Sequence, residues 1–531
     1  MNLMRKIVFF VCLLAMTQCV AAQNSGDTLR VQRLNHQEIN FLDNKLDGSR
    51  NPVRLSFNSV HTLTAATVGA HLERGNFHDV DEGRKHNNLH VNLAGLKRIG
   101  KLSLSGDFTY LNAKDYDHKW NNTLMLSRQN PFVLADSVNS NVTLEQFSMH
   151  AAASYLFSEK IAAALRLHYM TGGSSDQEDP RPKVSAMRFT VTPGVLFHVG
   201  GSHRLGASAE VQVYSSDLSH TLVDNYTPQT YFLMKGMGDH TYFSSNDIAS
   251  YPREYEGTAF GGHLQWQASF GTMANMLEIG VRANSEKATD GGSYYTYKAG
   301  DFSETCFSLS DRLSFGSGSS LRHDIILNAQ LQQGKGDWYD QQRSLDTEHN
   351  YRVVYVVLNK SKVHKTQSMS GSISYQLHQL QNGITQWSAR VQAALSQSQQ
   401  KHFEAAVFEQ KYTMARLSAE GKKYWPLGRC RLQTGIGAFL RMGLGIPTYA
   451  SVRDKLALQY VNPAFEYATA TVYGGQARAA IDVPVCLYHT PTWVTVFVRG
   501  QYAAYGGDNE YTSLFDGESR TMMNFGITLT L

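Results

Sequence analysis

The chain has 531 residues, with 49 Lys and Arg against 45 Asp and Glu, and a mean hydropathy of −0.33. That balance gives no electrostatic reason to expect a nucleic-acid partner, and no stretch after the N-terminus approaches the about 20 apolar residues of a membrane helix. The 27 Tyr, 25 Phe and 43 Gly beside only 12 Pro suit long antiparallel strands with one polar face.

The first segment is a targeting signal. Arg5 and Lys6 precede the apolar run 7–16, and Val20-Ala21-Ala22 supplies small residues for cleavage, so residues 1–22 read as a secretory signal peptide. Cys19 follows Met16-Thr17-Gln18, a poor lipobox, because Gln18 stands where a small residue is wanted. Cys306, Cys430 and Cys486 remain after cleavage, an odd and widely spaced set that makes neither a disulfide framework nor a zinc site. Residues 23–53 are polar and read as a periplasmic leader or as a short hatch threading the lumen of the C-terminal domain.

From residue 54 to 531 the chain is a succession of period-two runs. Phe147, Met149, Ala151, Ala153 and Tyr155 alternate with Ser148, His150 and Ser154; Leu205, Ala207, Ala209, Val211 and Val213 oppose Arg204, Ser208, Glu210 and Gln212. The first two strands are expected near 54–73 and 88–97. The last run, Met523, Phe525, Ile527, Leu529 and Leu531 against Asn524, Gly526, Thr528 and Thr530, continues to the final residue.

The connections alternate in length. Short turns are expected at 98–101, 158–160, 200–203, 271–275, 316–319, 381–383, 426–429 and 488–492, each rich in Gly, Asn or Pro or carrying a compact polar turn. Long polar connections lie near 112–143, 171–184, 215–256, 285–303, 333–366, 399–410, 443–463 and 505–518. This is the pattern of an all-β, transmembrane antiparallel up-and-down β-barrel of about 18 strands (14–18 are compatible), each about 11–15 residues long. Short turns would be periplasmic and long loops extracellular. Phe157, Phe197, Phe270, Phe315, Tyr424, Trp425 and Trp493 flank the short turns and are expected in an aromatic girdle.

The C-terminal set Met523, Phe525, Ile527, Leu529 and Leu531 resembles the β-signal of outer-membrane proteins, which implies recognition by the barrel-assembly machinery. The chain as a whole resembles uncharacterised outer-membrane barrels of Bacteroidota, and more distantly the FadL-type transporters, whose short hatch matches residues 24–52 in length. TonB-dependent receptors carry a plug of well over 100 residues, for which the segment before the first strand leaves no room. The resemblance implies residence in the outer membrane among its lipid and lipopolysaccharide, and a surface lipoprotein or a TonB-dependent receptor as partner.

If the apolar sets face lipid, Arg166, Arg188, Arg204, Arg282, Arg312, Arg322, Arg390, Arg429, Arg431, Arg441, Arg478 and Arg499 face the lumen, with Asp107, Glu210, Glu278, Asp324, Glu420 and Asp482. An Arg-rich wall attracts anions; the competing reading is that these residues pair and fill the barrel. Tyr and Trp in 215–256 and 333–366 suit either ligand stacking or packing of the loops on one another. No catalytic set, nucleotide motif, metal-ligand spacing or cofactor motif stands out. The expected function is a passive porin or transport channel, or the barrel component of a surface uptake complex. The alternatives are an outer-membrane enzyme and a soluble secreted β-protein or adhesin.

Overall fold

A computed structural model describes residue 31 and residues 33–531, apart from 225, 246–250, 292–294, 317–319, 349–351, 404–407, 445–455, 488–489 and 507–517. Residues 1–22, expected to be a signal peptide, lie outside the described residues. In chain order the strands are β1 (Thr62–Arg74), β2 (Lys85–Ile99), β3 (Leu102–His118), β4 (Leu134–Ala135), β5 (Ser140–Leu156), β6 (Ile161–Ser175) and β7 (Lys183–Gly200). Then come β8 (His203–His220), β9 (Gln229–Gly236), β10 (Asp239–Ser245), β11 (Tyr251–Phe270), β12 (Met273–Asp290), β13 (Tyr297–Phe315) and β14 (Leu321–Asp346). The last seven are β15 (Arg352–Gln381), β16 (Ile384–His402), β17 (Phe408–Leu427), β18 (Cys430–Leu444), β19 (Val472–Leu487), β20 (Thr490–Tyr505) and β21 (Ser519–Thr530). Two helices accompany them, α1 (His36–Asp43) and α2 (Asn462–Thr469).

Eighteen of these strands form one closed antiparallel sheet, and β4, β9 and β10 make a separate three-stranded sheet. Sequence neighbours pair throughout the barrel, and β1 pairs with β21 to close it, from Ala65↔Thr530 to Arg74↔Thr521. The last residue takes part: Thr64 and Leu531 exchange both backbone hydrogen bonds, at 3.1 and 2.8 Å. Closure removes the free edges that a sheet of this size would otherwise expose.

The alternation decides the facing. Val68, Leu264, Ile373, Leu395, Leu417 and Ile436 are 53, 60, 51, 52, 55 and 74 % exposed on the outside of the wall. So much apolar area turned outward around a closed wall has no partner within the chain, and it suits lipid rather than water. On β21, Phe525 stands opposite Ala70 and Val498, and Ile527 opposite Val68 and Val496, so the terminal apolar set shares this outer face. Thr528 points the other way and its hydroxyl meets that of Thr67 at 2.9 Å.

The structure departs from the sequence expectation in several places. The first strand begins at Thr62 because Pro52–Phe57 forms a 3-10 turn, started by Pro52 and capped by Asn51 Oδ1 accepting from the Val53 amide at 3.0 Å. Residues 285–303 and 333–366, read as loops, are mostly strand. The ladder of β14 and β15 runs to Asp346↔Arg352, giving strands of 26 and 30 residues. Beyond the membrane both faces meet polar surroundings, so alternation fades while backbone pairing continues. Among the girdle candidates, Phe157, Phe197, Phe270 and Trp425 are exposed outward, whereas Trp493 is buried and Tyr424 turns inward to Glu38. The tyrosines of the outer segments divide: Tyr226 and Tyr242 are exposed, while Tyr231, Tyr255 and Trp338 are buried; Tyr351 lies outside the described residues.

Candidate functional site

The bore is filled from both ends, and the N-terminal segment fills the end that carries the short turns. Residues 46–60 dock there by apolar contact. Leu46 and Val53 pack with Ala162, Leu196 and Met276, while Leu55 and Val60 pack with Leu63 and Leu96. Polar contacts fix the register. Ser49 Oγ donates to Glu278 at 2.5 Å, and Asn51 Nδ2 donates to the Val195 carbonyl at 3.0 Å and the Ala207 carbonyl at 3.2 Å. The Arg98 guanidinium donates to the Asn58 carbonyl at 3.0 Å.

Helix α1 meets the opposite wall, with Ile39 and Leu42 buried and a set of polar contacts beside them. Arg312 and Arg322 donate to the carbonyls of Phe41 and Leu42. The Tyr424 hydroxyl donates to Glu38 at 3.1 Å, and Arg431 Nη2 donates to Asn35 Oδ1 at 2.9 Å. Phe41 adds a stacking contact, its ring 3.7 Å from the Arg312 guanidinium carbon.

The outer end is closed by insertions. Phe132 enters a buried cluster with Tyr214, Tyr255, Phe302 and Trp338, and Trp120 packs with Met234 and Leu456. Charge holds the cap as well. Arg253 and Asp290 are fully buried and bonded at 2.6 Å. Burial, with Asp81 beside it, pushes the Asp79 carboxyl in the β1–β2 connection up to about 6.

The arginines singled out from sequence separate into groups. Arg282 pairs with Glu210 at 3.0 Å, Arg312 and Arg322 with Asp324 at 3.0 and 3.3 Å, and Arg431 with Asp482 at 2.9 Å. Arg188 donates to the Met125 carbonyl of the cap, and Arg441 Nη2 to the Tyr467 carbonyl of α2 at 2.8 Å. Arg204 donates to Gln267 at 3.2 Å and lies over the Phe57 ring, and Arg166 sits in the field of Glu210 and Glu278. Arg429 sits in the Gly428–Arg429 turn and is not part of the wall, because β17 ends at Leu427 and β18 starts at Cys430.

Arg390, Arg478 and Arg499, like Arg166, Arg188, Arg204 and Arg441, pair with no carboxylate among the described residues. The first three line cavities of about 360 and 140 Å³ on the β16–β20 side of the bore, the larger of which is floored by α1. Arg416 joins them in the smaller cavity. Sequence reading missed Arg416, although alternation within 413–419 sets it opposite Leu417, which the structure turns outward. Further cavities of about 580 and 470 Å³ hold His71, His86 and His90, and a Ser and Asn wall with Ser310, Asn328 and Ser372. Among the described residues no group of three or more His, Cys, Asp or Glu is placed to hold a metal ion.

A closed barrel of the outer-membrane type, with its bore occupied from both ends, is the class that strand order and contacts define. The chain belongs to a family of unknown function (DUF6850), whose pattern it matches over residues 52–531. No curated protein matches it. Among solved structures it is similar to BauA, the ferric preacinetobactin receptor of Acinetobacter baumannii, at 10 % identity over 88 % of this chain and 79 % of that one, with a TM-score of 0.40. It is similar to the outer-membrane transporter YddB of Escherichia coli at 8 % identity, over 88 and 80 % of the two chains, with a TM-score of 0.39. For the FrpB iron transporter of Neisseria meningitidis the values are 9 % identity, 87 and 81 % coverage and 0.38. The barrel assignment rests on the hydrogen-bonded strand order and not on these likenesses.

Proposed function

We propose that this protein is an outer-membrane transport barrel whose own N-terminal segment is the gate, with α1 as the moving part. The observation that carries this reading is the asymmetry of the plug. Residues 46–60 are held to one wall by two apolar clusters together with hydrogen bonds of Ser49 and Asn51, whereas α1, which buries Ile39 and Leu42, joins no such cluster and takes hydrogen bonds from Arg312, Arg322 and Tyr424, with Arg431 bonded to Asn35 at its start. Apolar contacts are lost outright when they separate. Hydrogen bonds are exchanged for bonds to water on displacement, at a net cost of about 0.5–1.5 kcal/mol each and about 1.5–3 kcal/mol where the donor is a guanidinium. Displacing α1 then costs several kcal/mol, within reach of a ligand that binds the displaced state about 10⁴-fold more tightly than the docked one, a difference of about 5.5 kcal/mol.

This reading sets aside the permanently open porin in favour of a gated passage, alone or as the barrel of a surface uptake complex. It places the chain in the outer membrane, with the Met523–Leu531 set facing lipid, and it assigns no catalytic step to the bore. The test is solute entry into proteoliposomes. Chain lacking residues 24–44 should admit small sugars that the full chain excludes. Equal swelling rates for the two would contradict the gate.

A further inference from the structure

The cavity above α1 carries an excess of positive charge that the protein itself does not neutralise. Arg390 Nε donates to Ser374 Oγ at 3.0 Å and its Nη2 to Gln392 Oε1 at 2.8 Å, both neutral acceptors. Arg499 donates to the Gln476 amide oxygen, and the Arg416 guanidinium lies 4.9 Å from the Phe439 ring. Two acids stand among them: Glu420 is bonded to Lys422 at 3.4 Å, and Glu38 accepts from the Tyr424 hydroxyl at 3.1 Å, which leaves the four arginines and Lys422 in excess. Arg282, Arg312, Arg322 and Arg431 meet a carboxylate, and Arg188 and Arg441 a carbonyl; here the arginines meet amides, a hydroxyl and a ring, as Arg204 does with Gln267 and Phe57, but four of them gather around two adjoining cavities. A guanidinium has five N–H donors, so most of these donors remain free for another acceptor.

The wall is shaped for these side chains. Gly435 and Gly437 are the inward residues of β18 at this level, opposite Arg478 and Gln476 of β19. A Cβ on Gly435 would lie 2.8 Å from Arg478 Cγ, and one on Gly437 2.9 Å from Gln476 Nε2. Both side chains therefore lie across a trough that only glycine leaves open. The smaller cavity, at about 140 Å³, shares Arg390 and Glu420 with the larger one over α1. It has room for about four or five waters, enough for one tetrahedral or planar oxyanion group, and the larger cavity beside it takes the rest of a solute.

We propose that Arg390, Arg416, Arg478 and Arg499 form a binding site for a solute bearing two or more oxyanion groups, held by guanidinium forks. This deepens the transport reading by naming the substrate class, and it rests on that reading for its biological role. Fork geometry favours carboxylate, sulfate and phosphoryl groups alike. The position above α1 gives the site a second property: a bound anion sits against the gate, with Arg478 and Tyr424 lining the same cavity as Glu38.

Equilibrium binding to the full chain in detergent tests the site whether or not α1 moves. The probes are inorganic pyrophosphate, sulfate, malonate and, as a neutral control, raffinose. At least one dianion should bind, more weakly as salt rises, and raffinose should not compete. Arg416→Gln with Arg499→Gln should weaken binding tenfold or more, with heat-modifiability on a gel showing that the barrel is intact. Arg390→Lys, which keeps charge and loses the fork, should give a smaller loss, and Arg429→Gln in the turn should give none. Tighter pyrophosphate assigns phosphoryl groups, and tighter malonate assigns carboxylates. Binding of none of the dianions overturns the proposal, as does an unchanged affinity in the double variant or an equal loss in Arg429→Gln.

Discussion

Asn51 occupies the space that a side chain at position 194 would need: a Cβ on Gly194 would lie 2.2 Å from Asn51 Oδ1. The same amide donates to the carbonyls of Val195 and Ala207, one on each of β7 and β8, and so ties the plug to two neighbouring strands. Gly194→Ala should therefore push Asn51 out of its seat. The expected cost to plug docking is about 1–3 kcal/mol, the value of buried polar groups left unpaired. Limited proteolysis of folded barrels should show faster cleavage within 31–58, with heat-modifiability retained. An unchanged cleavage rate would mean that Asn51 does not anchor the plug.

The facing of the last strand gives a second prediction. Phe525→Lys or Ile527→Lys should cost about 2–4 kcal/mol of barrel stability, since a cation would meet lipid near mid-wall. Thr528→Lys, on the Thr67 side, should be far milder. Urea unfolding in lipid vesicles measures both. Equal tolerance at the two faces would refute the orientation.

That orientation was legible in the sequence, because each outward set, such as Leu205, Val211 and Val213, alternates with polar partners over a full membrane thickness. The strand number, the short turns and the closing pair β1–β21 follow from the same periodicity. Above the membrane the signal fails. Trp338 packs inward beside Tyr339, while Leu345, Val356 and Leu358 are exposed, so the outer reach of β14 and β15 keeps its ladder without its alternation. The site was half legible. Alternation gives the inward side for Arg390 and Arg499, but which arginines find a carboxylate depends on residues as distant as Glu210 and Arg282, or Arg431 and Asp482.

Within the cap, Arg253→Met should be severe. Removing the guanidinium leaves Asp290 buried beside Tyr251 without its cation, a change that typically costs about 3–5 kcal/mol. The double variant Arg253→Met with Asp290→Leu should recover much of that loss. Thermal unfolding followed by tryptophan fluorescence, with Trp338 and Trp120 both in the cap, reads the effect. A single variant as stable as wild type would contradict a structural role for the pair.

Asp79 sets a pH dependence for the cap. Its folded pKa is raised to about 6, so the folded state holds this proton more tightly than the unfolded chain does. Stability from this group is full below the unfolded value near 4 and falls as pH rises toward 6, by roughly 3 kcal/mol in all. Asp79→Asn should flatten that slope and stabilise the cap at pH 7, less whatever the ion pair with Arg128 contributes at 2.9 Å. Melting temperatures at pH 4, 5, 6 and 7 for both proteins give the comparison. A wild-type profile that rises between pH 4 and 6 in parallel with the variant would contradict it.

The gate itself is best tested by a distance. With Cys306, Cys430 and Cys486 changed to serine, spin labels on Lys45 and on Ser372 of the facing wall report where the N-terminal segment lies in membrane-embedded protein. The account predicts one narrow distribution, shorter than the width of the bore, that broadens and lengthens when the hold of α1 is removed by deleting residues 24–44. A broad, long distribution in the intact chain would contradict an N-terminal segment docked in its own barrel.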